Sequence, residues 1–226
     1  MFCCKEKQHF ALTCAHVACI SDRQEYQKTF NSPDDVKEVY ESRKAIEAGL
    51  TNCSEYFYIS PEGNEIRLGK QFYFRYNDKN DIMALKVEND ANNPSIDCTK
   101  ALLDVDIPRQ WNKTWLRLPG KIRKGVEMKK NGCSKTGKLV DINYGCRYNG
   151  QLLFKNALRV ESSEDFLRHG DSGVLVYFEN KRRGVNVPLG YGVLQNEKER
   201  NTYVCLRLDE ALKALGLTGC GCYKTG

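Results

Sequence analysis

No apolar run in this 226-residue chain approaches the roughly 18 residues that a membrane-spanning helix needs, which argues against a helical membrane protein. No basic segment followed by an apolar stretch stands at the N-terminus, so no secretory signal is expected there. If Met1 is the natural start, a cytoplasmic protein is expected; if the chain was excised from a longer one, that absence says little. Repeats and low-complexity segments are also missing, which removes repeat arrays. Long blocks of one charge sign are missing too: 35 basic and 29 acidic residues are interspersed and leave a net charge of +6. Two small basic clusters, Lys121-Ile122-Arg123-Lys124 and Lys181-Arg182-Arg183, fall where loops between strands are expected. A solvated turn is their simpler reading and a phosphate-binding patch the sharper one. Neither a membrane nor a nucleic acid is therefore an expected partner. Cysteines number 11, so at least one is unpaired. Cys14, Cys133 and Cys205 lie in strand-like or hairpin segments and read as small buried hydrophobes, with reduced thiols in an intracellular compartment. Cys220 and Cys222 have no second cysteine pair and no nearby histidine, so a tail is a simpler reading than a metal or redox site.

What is present is mostly strand signal. Phe2 to Cys4 and His9 to Cys14 form a candidate hairpin. Tyr56 to Ser60 and Gln71 to Tyr76 flank the turn signal Pro61-Glu62-Gly63-Asn64, and Asp81 to Val87 follows. Further candidates are 115–118, 126–130, 139–144, 173–178, 188–195 and 202–208. Two helices break the pattern. Ser32-Pro33-Asp34-Asp35 offers a serine cap, a first-turn proline and acids at the positive dipole end, with Gly49 as the stop. Leu208 to Leu215 reads as a short closing helix ended by Gly216.

Chemistry is concentrated in three stretches. In Gly170-Asp171-Ser172-Gly173, a hydroxyl sits on a tight turn ahead of the β-forming run Val174 to Phe178. Glycines on both sides free the backbone, so amide N–H groups can converge beside a nucleophilic oxygen, as acyl transfer requires. Leu12-Thr13-Cys14-Ala15-His16 is an apolar strand ending in a histidine, and Asp81-Ile82-Met83-Ala84-Leu85-Lys86 sets an aspartate ahead of another.

Together, in the order His, Asp, Ser, these words resemble the trypsin/chymotrypsin-like serine peptidases, from about Phe2 to about Leu208. The resemblance implies an all-β fold of two antiparallel six-stranded β-barrels, a helix inserted after the histidine loop and a short C-terminal helix. The N-terminal barrel would span 1–107 with the insertion near 33–48, the C-terminal barrel 113–208 and the closing helix 208–216. It implies an endopeptidase of proteins or peptides, in which Ser172 is the nucleophile, His16 the general base and Asp81 the group that orients the imidazole. Gly170 and Ser172 would supply the oxyanion hole. No metal or cofactor enters that chemistry. Phe166, six residues before the serine, would line the substrate pocket and favour an apolar or uncharged residue on the acyl side; alignment onto Asp165 would reverse that preference. The pocket wall would run through Leu194, Gln195 and Asn196.

Departures from the family pattern carry expectations of their own. Val17 follows His16 where secreted relatives place a paired cysteine, and Arg168 stands where they often have another. In zymogens of the family a newly cut N-terminus pairs with the aspartate before the serine. No matching cleavage word is present, so Asp171 is expected to find a different partner among His9, Arg168 or a backbone donor. The short stretch before the first hairpin suggests either a domain cut from a larger chain, with further domains as possible partners, or a first strand supplied otherwise. A catalytically silent member of the family, used to bind proteins, is the alternative reading.

Overall fold

The structure, a computed structural model, describes residues 2–5, 8–19, 56–59, 65–68, 72–87, 125, 127–130, 135–148, 150–168, 170–180, 185–195 and 201–217. The helix expected near 33–48, the strand expected at 115–118, both basic clusters, Asn196 and Cys220 and Cys222 lie outside these residues.

Among the described residues the N-terminal half has six strands: β1 (Phe2–Lys5), β2 (Gln8–Thr13), β3 (Tyr56–Ile59), β4 (Glu65–Leu68), β5 (Phe72–Asn77) and β6 (Asn80–Lys86). Among the described residues they form an antiparallel four-stranded sheet in the order β1-β2-β6-β5 and a separate β3–β4 hairpin. From Asn80 to Leu85, β6 is buried on both faces. Successive side chains of a strand point to opposite sides. Met83 and Leu85 therefore pack with Ala11, Ala15 and Leu68, while Ile82 and Ala84 face the other half of the molecule.

The C-terminal half is a closed barrel of β7 (Glu127–Lys130), β8 (Thr136–Tyr148), β9 (Gln151–Glu161), β10 (Leu175–Asn180), β11 (Val185–Gln195) and β12 (Thr202–Arg207). Its interior holds Met128, Leu139, Val160, Phe166, Val176 and Tyr203. Pro188, which donates no ladder hydrogen bond, lies at a register shift between β10 and β11. The chain closes with α1 (Leu208–Ala214). Leu217 N–H donates to the Leu212 carbonyl at 2.8 Å and Gly216 N–H to that of Lys213 at 3.1 Å. With Gly216 at φ +70° this is the glycine-ended Schellman stop expected at that position.

A third cluster unites the halves. Phe10, Leu12, Cys14, Ile82 and Ala84 pack in one core with Leu175, Tyr177, Tyr191 and Leu206, and with Leu208, Ala211 and Leu212 of α1. The β5–β6 turn is also fastened to β9: Lys155 N–H donates to the Asp78 carbonyl at 2.7 Å, and the two side chains form an ion pair. This packing sets the end of β2 and the start of β6 against the turn that leads into β10.

Candidate active site

Antiparallel pairing explains why His16 and Asp81 meet. Thr13 at the end of β2 lies opposite Met83 of β6. The chain then turns into a 3₁₀ helix, Ala15–Cys19, which carries His16 back over Asp81. Two hydrogen bonds hold the pair. His16 backbone N–H donates to Asp81 Oδ1 at 3.0 Å, and ring Nδ1 meets Oδ2. The Asp81 side chain is only 2% exposed, against 22% for His16. On the far side of the ring, Nε2 lies 3.0 Å from Ser172 Oγ. A carboxylate, an imidazole and a hydroxyl thus form one hydrogen-bonded chain from the interior to the surface.

Burial pulls the His16 imidazole toward the neutral form, but the charge of Asp81 and the hydrogen bond to it outweigh that, so its pKa stands above the ordinary value. Behind Asp81 its backbone N–H donates to the Tyr191 hydroxyl at 3.4 Å. Burial, with Cys14 and Asp81 close by, drives the Tyr191 pKa well upward, so the phenol is neutral. Cys14 donates from Sγ to the Gly192 carbonyl at 3.5 Å, and burial raises this thiol strongly as well. Cys14, His16 and Asp81 each place one possible metal-ligand atom within 4.8 Å of the others. All three are already engaged with protein partners.

The Ser172 turn is tied down by backbone. Asp171 N–H donates to the Arg168 carbonyl at 3.0 Å, Val174 N–H to that of Asp171 at 2.9 Å, and Gly173 N–H to that of Gly192 at 2.9 Å. Gly170 and Gly173 adopt φ of +91° and +84°. A Cβ on Gly173 would lie 2.8 Å from Thr13 Cα, so glycine is demanded there by both conformation and space. The N–H groups of Gly170 and Ser172 meet no acceptor among the described residues.

Of the pocket candidates, Leu194 is half-buried and Gln195 exposed near the end of β11. Both pair with β12 on one side. On the side facing β10, pairing stops at Gly192, so the strand beyond it has an unpaired edge among the described residues. Phe166 departs from its expected place. It is fully buried within the second barrel, edge-on to Tyr203 at 5.7 Å between ring centroids, and presents no surface to a ligand. An aromatic ring gains more from core packing than a pocket rim can offer. Its neighbour Asp165 is exposed and lies 3.9 Å from Arg168.

Asp171 has two partners, of which one was foreseen. Its Oδ2 accepts from Arg168 backbone N–H at 2.6 Å, the backbone donor anticipated, and also from Lys130 Nζ at 2.6 Å. Lys130 lies in a stretch, Lys129-Lys130-Asn131-Gly132, that reads as the approach to a hairpin loop. The one available signal was its position on a strand whose alternate residue, Met128, is apolar and buried.

Compared with known proteins, the sequence matches no family model and no curated protein. Among solved structures it is similar to one described as an alpha-lytic protease homolog N4. The TM-score is 0.52 at 10% identity, over 95% of this chain and 88% of that one. Together with the strand order above, this likeness establishes the fold: the chain has the all-β, two-barrel architecture of the chymotrypsin-like proteins.

Proposed function

We propose that this protein is a serine endopeptidase acting on protein or peptide substrates through an acyl-enzyme. The observation that carries the reading is the continuous contact from Asp81 through His16 to Ser172 Oγ at 3.0 Å, made by residues from two halves of the fold. In the first step Ser172 Oγ attacks the scissile carbonyl carbon while His16 Nε2 takes the hydroxyl proton. Asp81 holds the ring and stabilises the imidazolium. The developing oxyanion accepts from the N–H groups of Gly170 and Ser172. Collapse breaks the C–N bond as His16 returns the proton to the departing amine. Water, deprotonated by His16, then cleaves the ester and restores Ser172. The edge of β11 beyond Gly192, unpaired among the described residues, suits an extended substrate, which would add to it as a strand.

A fluorophosphonate probe, which esterifies only an activated serine, tests the reading. Wild-type protein is expected to be labelled and Ser172→Ala to be blank. Equal absence of labelling in both would sink the peptidase reading and leave a binding module on the same scaffold.

A further inference from the structure

Cys14, His16 and Asp81 bring a sulfur, a nitrogen and an oxygen together in a set that peptide cleavage does not use. The three atoms all lie within 4.8 Å of one another. Cys14 stands between the end of β2 and the 3₁₀ helix that carries His16, and Asp81 is the second residue of β6, which pairs with β2. Cys14 and Asp81 are buried, whereas the His16 side chain is 22% exposed and opens the cluster to solvent. Zinc takes this donor mix, with bonds of about 2.3 Å to thiolate and about 2.0–2.2 Å to imidazole nitrogen or carboxylate oxygen. Tetrahedral bonds of those lengths set the donors about 3.4–3.6 Å apart, so each has to shift by only about an ångström.

The bonds these groups make now leave room for an ion. Cys14 Sγ–H donates only weakly to the Gly192 carbonyl, at 3.5 Å, and that carbonyl keeps the Gly173 N–H at 2.9 Å when the sulfur turns away. Asp81 Oδ1 stays on the His16 backbone N–H at 3.0 Å, which leaves Oδ2 to become the ligand. Charge favours the exchange as well: one dication balances one thiolate and one carboxylate, so the buried cluster ends with no net charge. Magnesium and calcium prefer oxygen donors throughout and do not suit it. We propose that Cys14 Sγ, His16 Nδ1 and Asp81 Oδ2 form an inhibitory site for zinc or a similar borderline-to-soft divalent cation, with water as the fourth ligand. The brake acts through the tautomer. In the resting triad the ring proton lies on Nδ1, facing Asp81, and the Nε2 lone pair faces Ser172 Oγ at 3.0 Å. A neutral imidazole that ligates through Nδ1 carries its proton on Nε2 instead. Nε2 then donates to the serine oxygen and has no lone pair left to accept its proton. The Cys14 thiol proton leaves to solvent as the sulfur–metal bond forms, so binding releases one proton and oxidises nothing. A wrong imidazole tautomer costs about 10⁴-fold in kcat. The inhibition rests on the peptidase reading above; the binding site does not.

The test reads binding and inhibition separately. Cobalt(II), a coloured stand-in for zinc, is titrated into full-length Ser172→Ala protein and into the same protein carrying Cys14→Ser as well. A thiolate-to-cobalt charge-transfer band in the near ultraviolet is expected to be stronger in the first, the difference between the two saturating at one ion per chain. Bands of equal strength come from other cysteines and overturn the site. In the second arm, zinc is added to wild-type protein before fluorophosphonate labelling. A concentration about 100 times the dissociation constant leaves about 1% of the chains free of the ion, so labelling should fall about 100-fold. Chelation with EDTA should restore it, and magnesium should do nothing. Cys14→Ser should label at close to the wild-type rate without zinc. It should need at least roughly 10- to 100-fold more zinc for the same inhibition, the loss that even an outer-shell partner brings. If Cys14→Ser does not fold, Cys14→Ala, which fills the buried position without a polar atom, takes its place in both arms. Equal zinc sensitivity in variant and wild type overturns the proposal. An unlabelled wild type instead defeats the peptidase reading, while the cobalt band still decides whether the site exists.

Discussion

Replacing Gly173 by alanine should be far more damaging than replacing Gly170, although both have positive φ. At Gly170 the φ of +91° is the only obstacle, because an added Cβ meets nothing within 4 Å. Holding a non-glycine residue in so sparsely populated a region costs about 1–3 kcal/mol. At Gly173 a similar penalty at φ +84° is joined by a Cβ at 2.8 Å from Thr13 Cα and 2.9 Å from both Cys14 N and Thr13 Oγ1. Two of those three atoms are backbone, which cannot rotate away. Relief means parting the serine turn from the end of β2, an overpacking cost of about 1–3 kcal/mol more. The sum is about 2–6 kcal/mol. For a chain of this size each kcal/mol moves Tm by roughly 2–4 °C. Thermal unfolding followed by circular dichroism should therefore show Gly170→Ala lower by roughly 2–12 °C and Gly173→Ala by roughly 4–24 °C. Fluorophosphonate labelling should also suffer more in Gly173→Ala, because the contact that must yield is the one setting His16 across from Ser172. If Gly173→Ala melts no lower than Gly170→Ala, the close approach of the two halves at this point is wrong.

Three further perturbations test these assignments. Since Asp81 raises the His16 pKa and the base must be neutral to act, labelling should climb with pH about a midpoint above roughly 6.5. Stability runs the opposite way: the folded chain holds this proton more tightly than the unfolded one. The His16 contribution is therefore complete below roughly pH 6.5 and is lost as pH rises through the folded value. Asp81→Asn should lower kcat by about 10⁴-fold and move the midpoint down, and a pH–rate profile with an unmoved acid limb refutes this assignment of causes. Phe166→Ala should cost about 3–5 kcal/mol as a core truncation, a Tm loss of roughly 6–20 °C. The ratio of kcat/KM between substrates with apolar and basic acyl-side residues should not change. A switch in that ratio would return Phe166 to the pocket.

Local chemistry made much of this molecule readable before its structure. The apolar flanks of His16, Asp81 and Ser172 mark them as residues at strand ends, and Gly216 announces where α1 must stop. What escaped depends on partners distant in sequence. No local pattern distinguishes Lys130 from Lys129; one faces the barrel interior and the other water, and the difference is decided by the register of β7 against β10. β9 was missed as a strand because its alternation is broken: Asn156 sits at φ 56° and the β8–β9 register shifts repeatedly. Phe166 was misassigned for a related reason. Counting back from the serine gives a position along the chain, but the inward turn of the ring against Tyr203 is a property of the folded barrel.

The core that joins the halves has a consequence for how the molecule comes apart. Apolar residues of β2 and β6 share one oily interior with β10, β11, β12 and α1, so neither half can loosen without baring the other. Melting should then be a single concerted event, and the imidazole and the hydroxyl stay within reach of each other for as long as that shared interior remains dry.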